Sequence, residues 1–291
     1  MKFGQVNHPE DINFALPDTP ASTIDLLHKY KDAQQPFRAY VGMPRWNRKD
    51  LKGLYPKGTK DDLLQYSTQL NAIEFNGTFY KSPAKSQVEI WRNRTADDFC
   101  FCPKISQSIS HYSRLQNCQE KVLAFVDSIA HFEDKLGPCF LQLHDNYKPK
   151  DFDRLAAFLT AFPKGIPLAL EVRNEAWFSN KEVYQQLLSI LANHSISNII
   201  VDTPGRRDVL HQQLTTPTAF VRFVSSNHAS DYERLDEWIQ TIAIWKKAGL
   251  QQLYFFIHQN LESQPPVLVR YFIEKLNPIL DVKLSIPFTK N

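Results

Sequence analysis

Apolar positions along the chain follow two alternating rhythms. Short runs that are apolar throughout or repeat every second residue occur at 39–42 (AYVG), 72–76 (AIEFN), 99–104 (FCFCPK), 139–144 (CFLQLH), 168–173 (LALEVR), 198–202 (NIIVD), 219–224 (AFVRFV) and 253–258 (LYFFIH). Their lengths and period predict eight β-strands. The segments between them carry apolar residues three and four apart. DDLLQYSTQL, after Thr59, predicts one helix. In QEKVLAFVDSIAHFEDKLGP the residues Val122, Phe125, Val126, Ile129 and Phe132 predict a second, stopped by Gly137 and Pro138. Ser179 and Glu182 fit a capping box ahead of Val183, Leu187, Leu188 and Leu191. Leu235, Trp238, Ile239, Ile242 and Trp245 form one stripe that ends at Gly249.

Strands that alternate with helices imply a parallel sheet, and eight of them joined by right-handed crossovers close into a barrel. The predicted fold is α/β: a single (β/α)8 TIM barrel over residues 39–291, preceded by an N-terminal extension, 1–38, whose helix STIDLLHKYKDAQ packs on the barrel. The link 203–218 is short and turn-rich, so the sixth helix should be abbreviated. An open doubly wound sheet is the alternative. It usually carries a glycine-rich phosphate loop, and this chain of nine glycines has neither GxGxxG nor a Walker pattern.

One strand breaks its own pattern. In LALEVR one face runs Leu168, Leu170, Val172, whereas the other runs Ala169, Glu171, Arg173 and becomes charged toward its C-terminal end. In a TIM barrel that end carries the active site. The same position on the other strands supplies Glu74 and Asn76, Lys104, Gln142 and His144, Asp202, Arg222, and His258. Three carboxylates (Glu74, Glu171, Asp202) and three cations (Lys104, Arg173, Arg222) could close into a self-neutralising network. Yet buried ion pairs are often no more stabilising than the apolar groups that could replace them, so a ligand or catalytic site explains six clustered charges better.

The remaining composition changes little. With 43% hydrophobic and 22% charged residues over 291 positions, the chain can fill a large core. A net charge of +3 gives no bulk argument for nucleic-acid binding. The start MKFGQVNHPEDINFALP lacks a signal-peptide pattern and no apolar run is long enough to span a bilayer, so a cytoplasmic protein without membrane association is expected. Cys100, Cys102, Cys118 and Cys139 lack disulfide-framework or CxxC spacing and are expected as free thiols.

The motifs YVGMPRW followed by LYP, then IEFNGTFY, FCFCPKISQSISHYSRL, DKLGPCFLQL, LALEVRNEAWF, VDTP, FVRF and LDEWIQTIAIW stand in the order and spacing of the YecE-like family, domain of unknown function 72. The chain resembles that family over about residues 39 to 260 and matches it at Gly42, Trp46, Tyr55, Pro56, Glu74, Asn76, Phe79, Tyr80, Lys104, His111, Gln142, Glu171, Arg173, Trp177, Asp202 and Arg222. The resemblance implies a TIM barrel and, since the family has no established reaction, no chemistry. Three loops depart from it: LHDNY where a proline pair is usual, FVSSN where His-Gly is usual, and IHQN in place of paired asparagines.

The residues themselves allow several readings. Glu74 and Glu171 could be the acid and base of glycoside hydrolysis or of a sugar isomerisation, with Trp46, Phe79, Tyr80 and Trp177 offering ring faces and Asp202 orienting a cation. Lys104, Arg173 and Arg222 would stabilise an anion or oxyanion, and Lys104 could instead form a Schiff base. His111, on the loop after the third strand, could act over the mouth, and Asn76, Gln142, His144 and His258 could contact substrate. A divalent cation held by Glu74, Glu171, Asp202 and His144 or His258 is disfavoured, because the three basic residues already neutralise the carboxylates. No cofactor is expected. The reading adopted is an enzyme acting by acid/base chemistry on a small carbohydrate-like or phosphorylated metabolite, hydrolase or isomerase in type; the alternative is a non-catalytic binding or sensing protein for an anionic metabolite or nucleotide.

Overall fold

In the computed structural model, which describes residue 4, residues 6–259 and residues 266–288, eight parallel strands form one sheet in the order 3-2-1-8-7-6-5-4. They are β1 (Arg38–Met43), β2 (Ala72–Phe75), β3 (Cys100–Pro103), β4 (Cys139–Gln142), β5 (Leu168–Glu171), β6 (Ser197–Asp202), β7 (Thr218–Val224) and β8 (Gln252–His258). β1 pairs with both β2 and β8. The ends of the order, β3 and β4, meet through isolated bridges Phe101 to Leu136 and Lys104 to Phe140, helped by the Ile105 N–H donating to the Phe140 carbonyl at 2.9 Å. The result is the nearly closed barrel that the strand count implies.

Side-chain parity separates two cores. Inward-facing Ala72, Cys100, Cys102, Phe140, Ala169, Ile199, Val201, Phe220, Tyr254 and Phe256 fill the barrel, with Tyr40 packed against them. Neighbours of opposite parity, such as Val41, Ile73, Leu170, Ile200 and Phe255, join the larger core beneath the helices. Gly42 is required where β1 passes β2, since a Cβ there would stand 2.0 Å from the Ala72 carbonyl oxygen.

The outer layer contains ten α-helices among the described residues: α1 (Ala21–His28), α2 (Asp62–Ser67), α3 (Gly77–Tyr80), α4 (Lys85–Asn93), α5 (Gln119–Ile129), α6 (Phe152–Ala161), α7 (Ala176–Ser179), α8 (Lys181–Asn193), α9 (Ser230–Ala248) and α10 (Val267–Leu280). The α9 stripe Leu235, Trp238, Ile239, Ile242 and Trp245 is buried, each such side chain contributing about 1.5–3 kcal/mol. Gly249 ends that helix at φ +123°. Between β6 and β7 stands only a three-residue 3-10 turn, Arg207–Val209. Within the N-terminal segment, the Thr23 hydroxyl donates to the Gln212 carbonyl at 2.8 Å, tying α1 to that link.

Two local expectations change. The single helix predicted through residue 136 stops at Ile129 and continues as a 3-10 turn, Ala130–Lys135, with Glu133 at φ +53°, because the chain must turn to bring Leu136 against Phe101 at the barrel seam. The cap of α8 is Asn180 rather than Ser179: its carboxamide oxygen accepts from the Glu182 and Val183 N–H groups at 3.0 and 3.2 Å, while Ser179 closes the preceding α7. All four cysteines are buried free thiols. Among the described residues no helix is long and apolar enough to cross a membrane.

Candidate functional site

Above the apolar layer, the next inward positions are Glu74 on β2, Gln142 on β4, Glu171 on β5 and Arg222 on β7, joined by Lys104 and Arg173 one or two residues past their strands. All six are at least nine-tenths buried. Arg222 stands at the centre. Its Nε and Nη2 donate to the two oxygens of Glu74, each at 2.9 Å, and its Nη1 donates to Glu171. Glu171 also receives the Nε of Arg173. Glu74 is completed by Asn76 Nδ2 at 2.9 Å and His258 Nε2 at 2.7 Å.

The electrostatics follow from that geometry. Burial alone would raise the Glu74 carboxyl, but Arg222 and His258 outweigh it and hold the group well below the usual carboxylate range. Burial opposes ionisation of Glu171 as well, and Arg173 and Arg222 again prevail. Both glutamates are therefore fixed anions. Ionised and paired with Arg222, neither glutamate has a proton to give, so the acid expected of this pair has to come from another group.

Lys104 behaves differently. Its ammonium donates to Gln142 Oε1 at 3.2 Å and lies 4.3 Å from the centre of the Phe79 ring. Among the described residues no carboxylate comes within ion-pair distance of it. Burial first, and then the Arg222 charge, push its pKa down to about 8, against the opposing pull of Glu171 and Glu74. Gln142 Oε1 also accepts from Arg173 Nη2 at 2.8 Å and Arg222 Nη1 at 3.3 Å. One uncharged oxygen thus receives three cationic side chains.

This floor opens into a cleft of about 800 Å³. His111, His144 and His258 line its walls, and Tyr80 and Tyr112, each 73% exposed, stand at its rim. His111 packs edge-on to Phe79 at 5.0 Å and to His144 at 5.3 Å. Partial burial, with His144 and Lys104 beside it, lowers the His111 pKa to about 4, so the ring is neutral near pH 7. The Nδ1 of His144 accepts the Asn146 backbone N–H at 3.2 Å, which leaves the proton of the neutral ring on Nε2.

Set against known proteins, residues 40–287 match the family model described as "Protein of unknown function DUF72". The chain belongs to this family. Two relatives are the UPF0759 protein YecE of Escherichia coli, 27% identical over 270 residues with 85% of this chain and 96% of that protein covered, and the UPF0759 protein YunF of Bacillus subtilis, 26% identical over 174 residues, 57% of this chain and 61% of that protein. Among solved structures, a DUF72 protein from Enterococcus faecalis superposes with a TM-score of 0.69 at 18% identity, covering 87% of this chain and 99% of that one. A DUF72 protein from Thermotoga maritima does so at 0.62 and 21%, covering 84% and 99%. At those identities the likeness concerns the fold. No activity is established for DUF72.

The DUF72 barrel gathers Glu74, Asn76, Tyr80, Lys104, His111, Gln142, His144, Glu171, Arg173, Arg222 and His258 at or beneath the cleft, and leaves three predicted residues elsewhere. Asp202 has the outward parity of Ile200: its carboxylate takes Arg207, Arg234 Nη2 at 2.7 Å and Trp238 Nε1 at 2.8 Å, between the barrel and α9, and orients none of the three cations at the mouth. Trp177 is fully buried, its Nε1 donating to the Tyr147 carbonyl at 2.8 Å. Trp46 packs on Phe75 and Trp91 at 5.0 and 6.0 Å, away from the cleft lining. Neither tryptophan offers a free ring face to the mouth. Sequence reasoning passed over Arg45, Asp50, Gln107 and Gln259, which line the cleft from loops, and Tyr112, which does so from the end of the helical turn Ser108–Tyr112. Their one signal is position, a few residues beyond a strand's C-terminus. Among the described residues no cluster of three or more His, Cys, Asp or Glu side chains could hold a metal ion.

Proposed function

We propose that the chain is an enzyme acting by acid/base chemistry on a small anionic metabolite, carbohydrate-like or phosphorylated, at the C-terminal mouth of the barrel. The observation that carries this reading is the convergence of Lys104, Arg173 and Arg222 on Gln142 Oε1 at the floor of the cleft. A carboxylate or phosphate oxygen placed there would meet the same donors and supply the negative charge the floor lacks. The proton-transfer role moves from the two glutamates to Lys104, whose pKa of about 8 lets it hold or release a proton near neutral pH. Glu74 and Glu171 then act by fixing Arg222 and Arg173, and Glu74 by orienting His258.

A second reading, a binding or sensing protein for the same kind of anion, is favoured by one observation: with both carboxylates locked, the cations alone suffice for recognition. Lys104→Arg separates the two, since it keeps the charge and removes the titration. Wild type and variant are incubated with a cell extract and the retained small molecules are compared by mass spectrometry. An enzyme yields a compound that the variant retains and wild type converts. If both retain the same unaltered compound equally, the protein is a binder.

A further inference from the structure

We infer that Lys104 is a nucleophile that condenses with the carbonyl group of its substrate, so that the substrate class is a small ketone or aldehyde bearing a phosphate or carboxylate. The inference rests on the anion-binding reading of the same cleft and adds to it a covalent step.

The geometry that points there is the environment of one amine. Lys104 projects from just beyond β3 into the cleft and is only 8% exposed. Its neighbours are an aromatic face, Phe79 at 4.3 Å, a second ring, Phe140 at 5.8 Å, and an uncharged oxygen, Gln142 Oε1 at 3.2 Å. Arg222 and Arg173 share that oxygen, at 3.3 and 2.8 Å from it. An ammonium in these surroundings gains no ion pair and meets like charge, which favours the free amine, and a lysine desolvated beside other cations is the usual form of an imine-forming nucleophile. The pKa of about 8 agrees with that picture. Lys135, just as buried, shows the contrast: it donates to the Arg92 and Thr95 carbonyls at 2.9 Å each, and so caps the end of α4.

The chemistry balances without any further reagent. The amine nitrogen attacks the carbonyl carbon, a C–N bond forms, and the carbonyl π electrons pass to oxygen. The nitrogen loses one proton, the oxygen gains two in all, and water leaves as the C=N bond closes. The second of those protons is the one the Lys104 ammonium releases on becoming the free amine, carried by solvent in the open cleft, while the Nε2–H of His144, lining the same cleft, can donate a hydrogen bond to the departing oxygen. Meanwhile Arg173 and Arg222 hold the substrate's anionic group. The protonated imine then withdraws electrons from the adjacent carbon. There the ring of His258, which lines the cleft and is held by Glu74 through Nε2, can take up a proton at Nδ1 when that nitrogen carries none. The reaction class is chemistry at the carbon next to the carbonyl: isomerisation, dehydration or carbon–carbon cleavage.

The test is reductive trapping. The protein is incubated with sodium cyanoborohydride and, separately, dihydroxyacetone phosphate, pyruvate or uncharged dihydroxyacetone, and lysine adducts are mapped by peptide mass spectrometry. The expected result is a single adduct on Lys104 with dihydroxyacetone phosphate or pyruvate, about tenfold or more above any other lysine, because an unactivated surface lysine stays protonated. It is suppressed by inorganic phosphate and absent in Lys104→Arg. Lys104→Met, which should fold at least as well as wild type, provides a second blank. If neither anionic ketone labels Lys104 while inorganic phosphate still raises the melting temperature, the imine is overturned and the anion site stands. If dihydroxyacetone labels Lys104 as well as its phosphate does, the amine is nucleophilic and the anion-binding reading fails. Absence of both labelling and a phosphate response overturns both.

Discussion

Two groups of buried charge lie near the C-terminal ends of the strands, one inside the barrel and one outside its wall. In the outer group Asp202 and Asp231 face Arg207 and Arg234, two against two, with Trp238 Nε1 adding a neutral donor and the Phe14 carbonyl accepting from Arg207 at 2.9 Å. In the inner group Glu74 and Glu171 face Arg222, Arg173 and Lys104, two against three, beneath an open cleft. A further carboxylate, Asp145, reaches Arg173 only at 3.8 Å and is itself 38% exposed. Burial of charge is common to both. What sets the inner group apart is a cation left over and facing the cleft. The outer group joins α9 to the barrel wall; the inner group has the composition of a site waiting for an anion.

The largest expected effects should make the two groups look alike. Arg222→Met strands Glu74 and Glu171, and Arg234→Met strands Asp202 and Asp231. Each should lower unfolding free energy in urea by about 3–5 kcal/mol, because removing one partner leaves buried charge uncompensated. Wild-type stability in either variant would break the account of that group. A smaller difference separates the two equally buried lysines. Lys135→Met leaves the Thr95 carbonyl without this donor, and the Arg92 carbonyl with only Thr95 to serve it, and should cost about 1–3 kcal/mol. Lys104→Met should be neutral or stabilising at pH 7 under the same assay.

The pH dependence sharpens that contrast. Lys104 has a folded pKa of about 8 against an ordinary value of 10.5, so between those limits the unfolded chain binds more protons and stability rises with pH. Subtracting the Lys104→Met curve from that of wild type should expose this rise, and a flat difference would show that the amine is not desolvated. The glutamates shift in the same direction at lower pH, but there it is the charged form that the fold favours. Their folded pKa values are depressed, so their contribution is complete above about 4.5 and is lost as pH falls through the folded values. Acid unfolding of Glu171→Gln should accordingly depend less on pH than that of wild type. A modest effect belongs to Trp238→Phe, which removes one hydrogen bond to Asp202 for about 1.5 kcal/mol and should leave ligand binding at the cleft unchanged.

Much of this was legible in the chain. Eight runs bounded by helical segments determine the barrel, and the inward parity of Ala72, Phe140, Ala169 and Phe220 carries Glu74, Gln142, Glu171 and Arg222 to the mouth two residues later. Asp202 was misread because its run ends in a charge like the others, although Ile199 and Val201 already occupy the inward positions. Its partner Arg234 lies on a helix 32 residues away, and no local pattern announces that pairing. Trp46 and Trp177 follow strands closely, but whether an aromatic ring turns to the cleft or to the core depends on loop conformation, which periodicity does not encode. The charge state of Lys104 was also hidden, since it follows from which side chain Glu74 and Glu171 choose to neutralise.

The most direct test of the central claim is the melting temperature of wild type, Lys104→Met and Trp238→Phe in inorganic phosphate and in chloride at matched ionic strength. An anion that binds only the folded protein raises stability by mass action. The account predicts a phosphate-dependent rise in wild type and Trp238→Phe that is largely lost in Lys104→Met. Equal rises in all three proteins, or none in wild type, would contradict it.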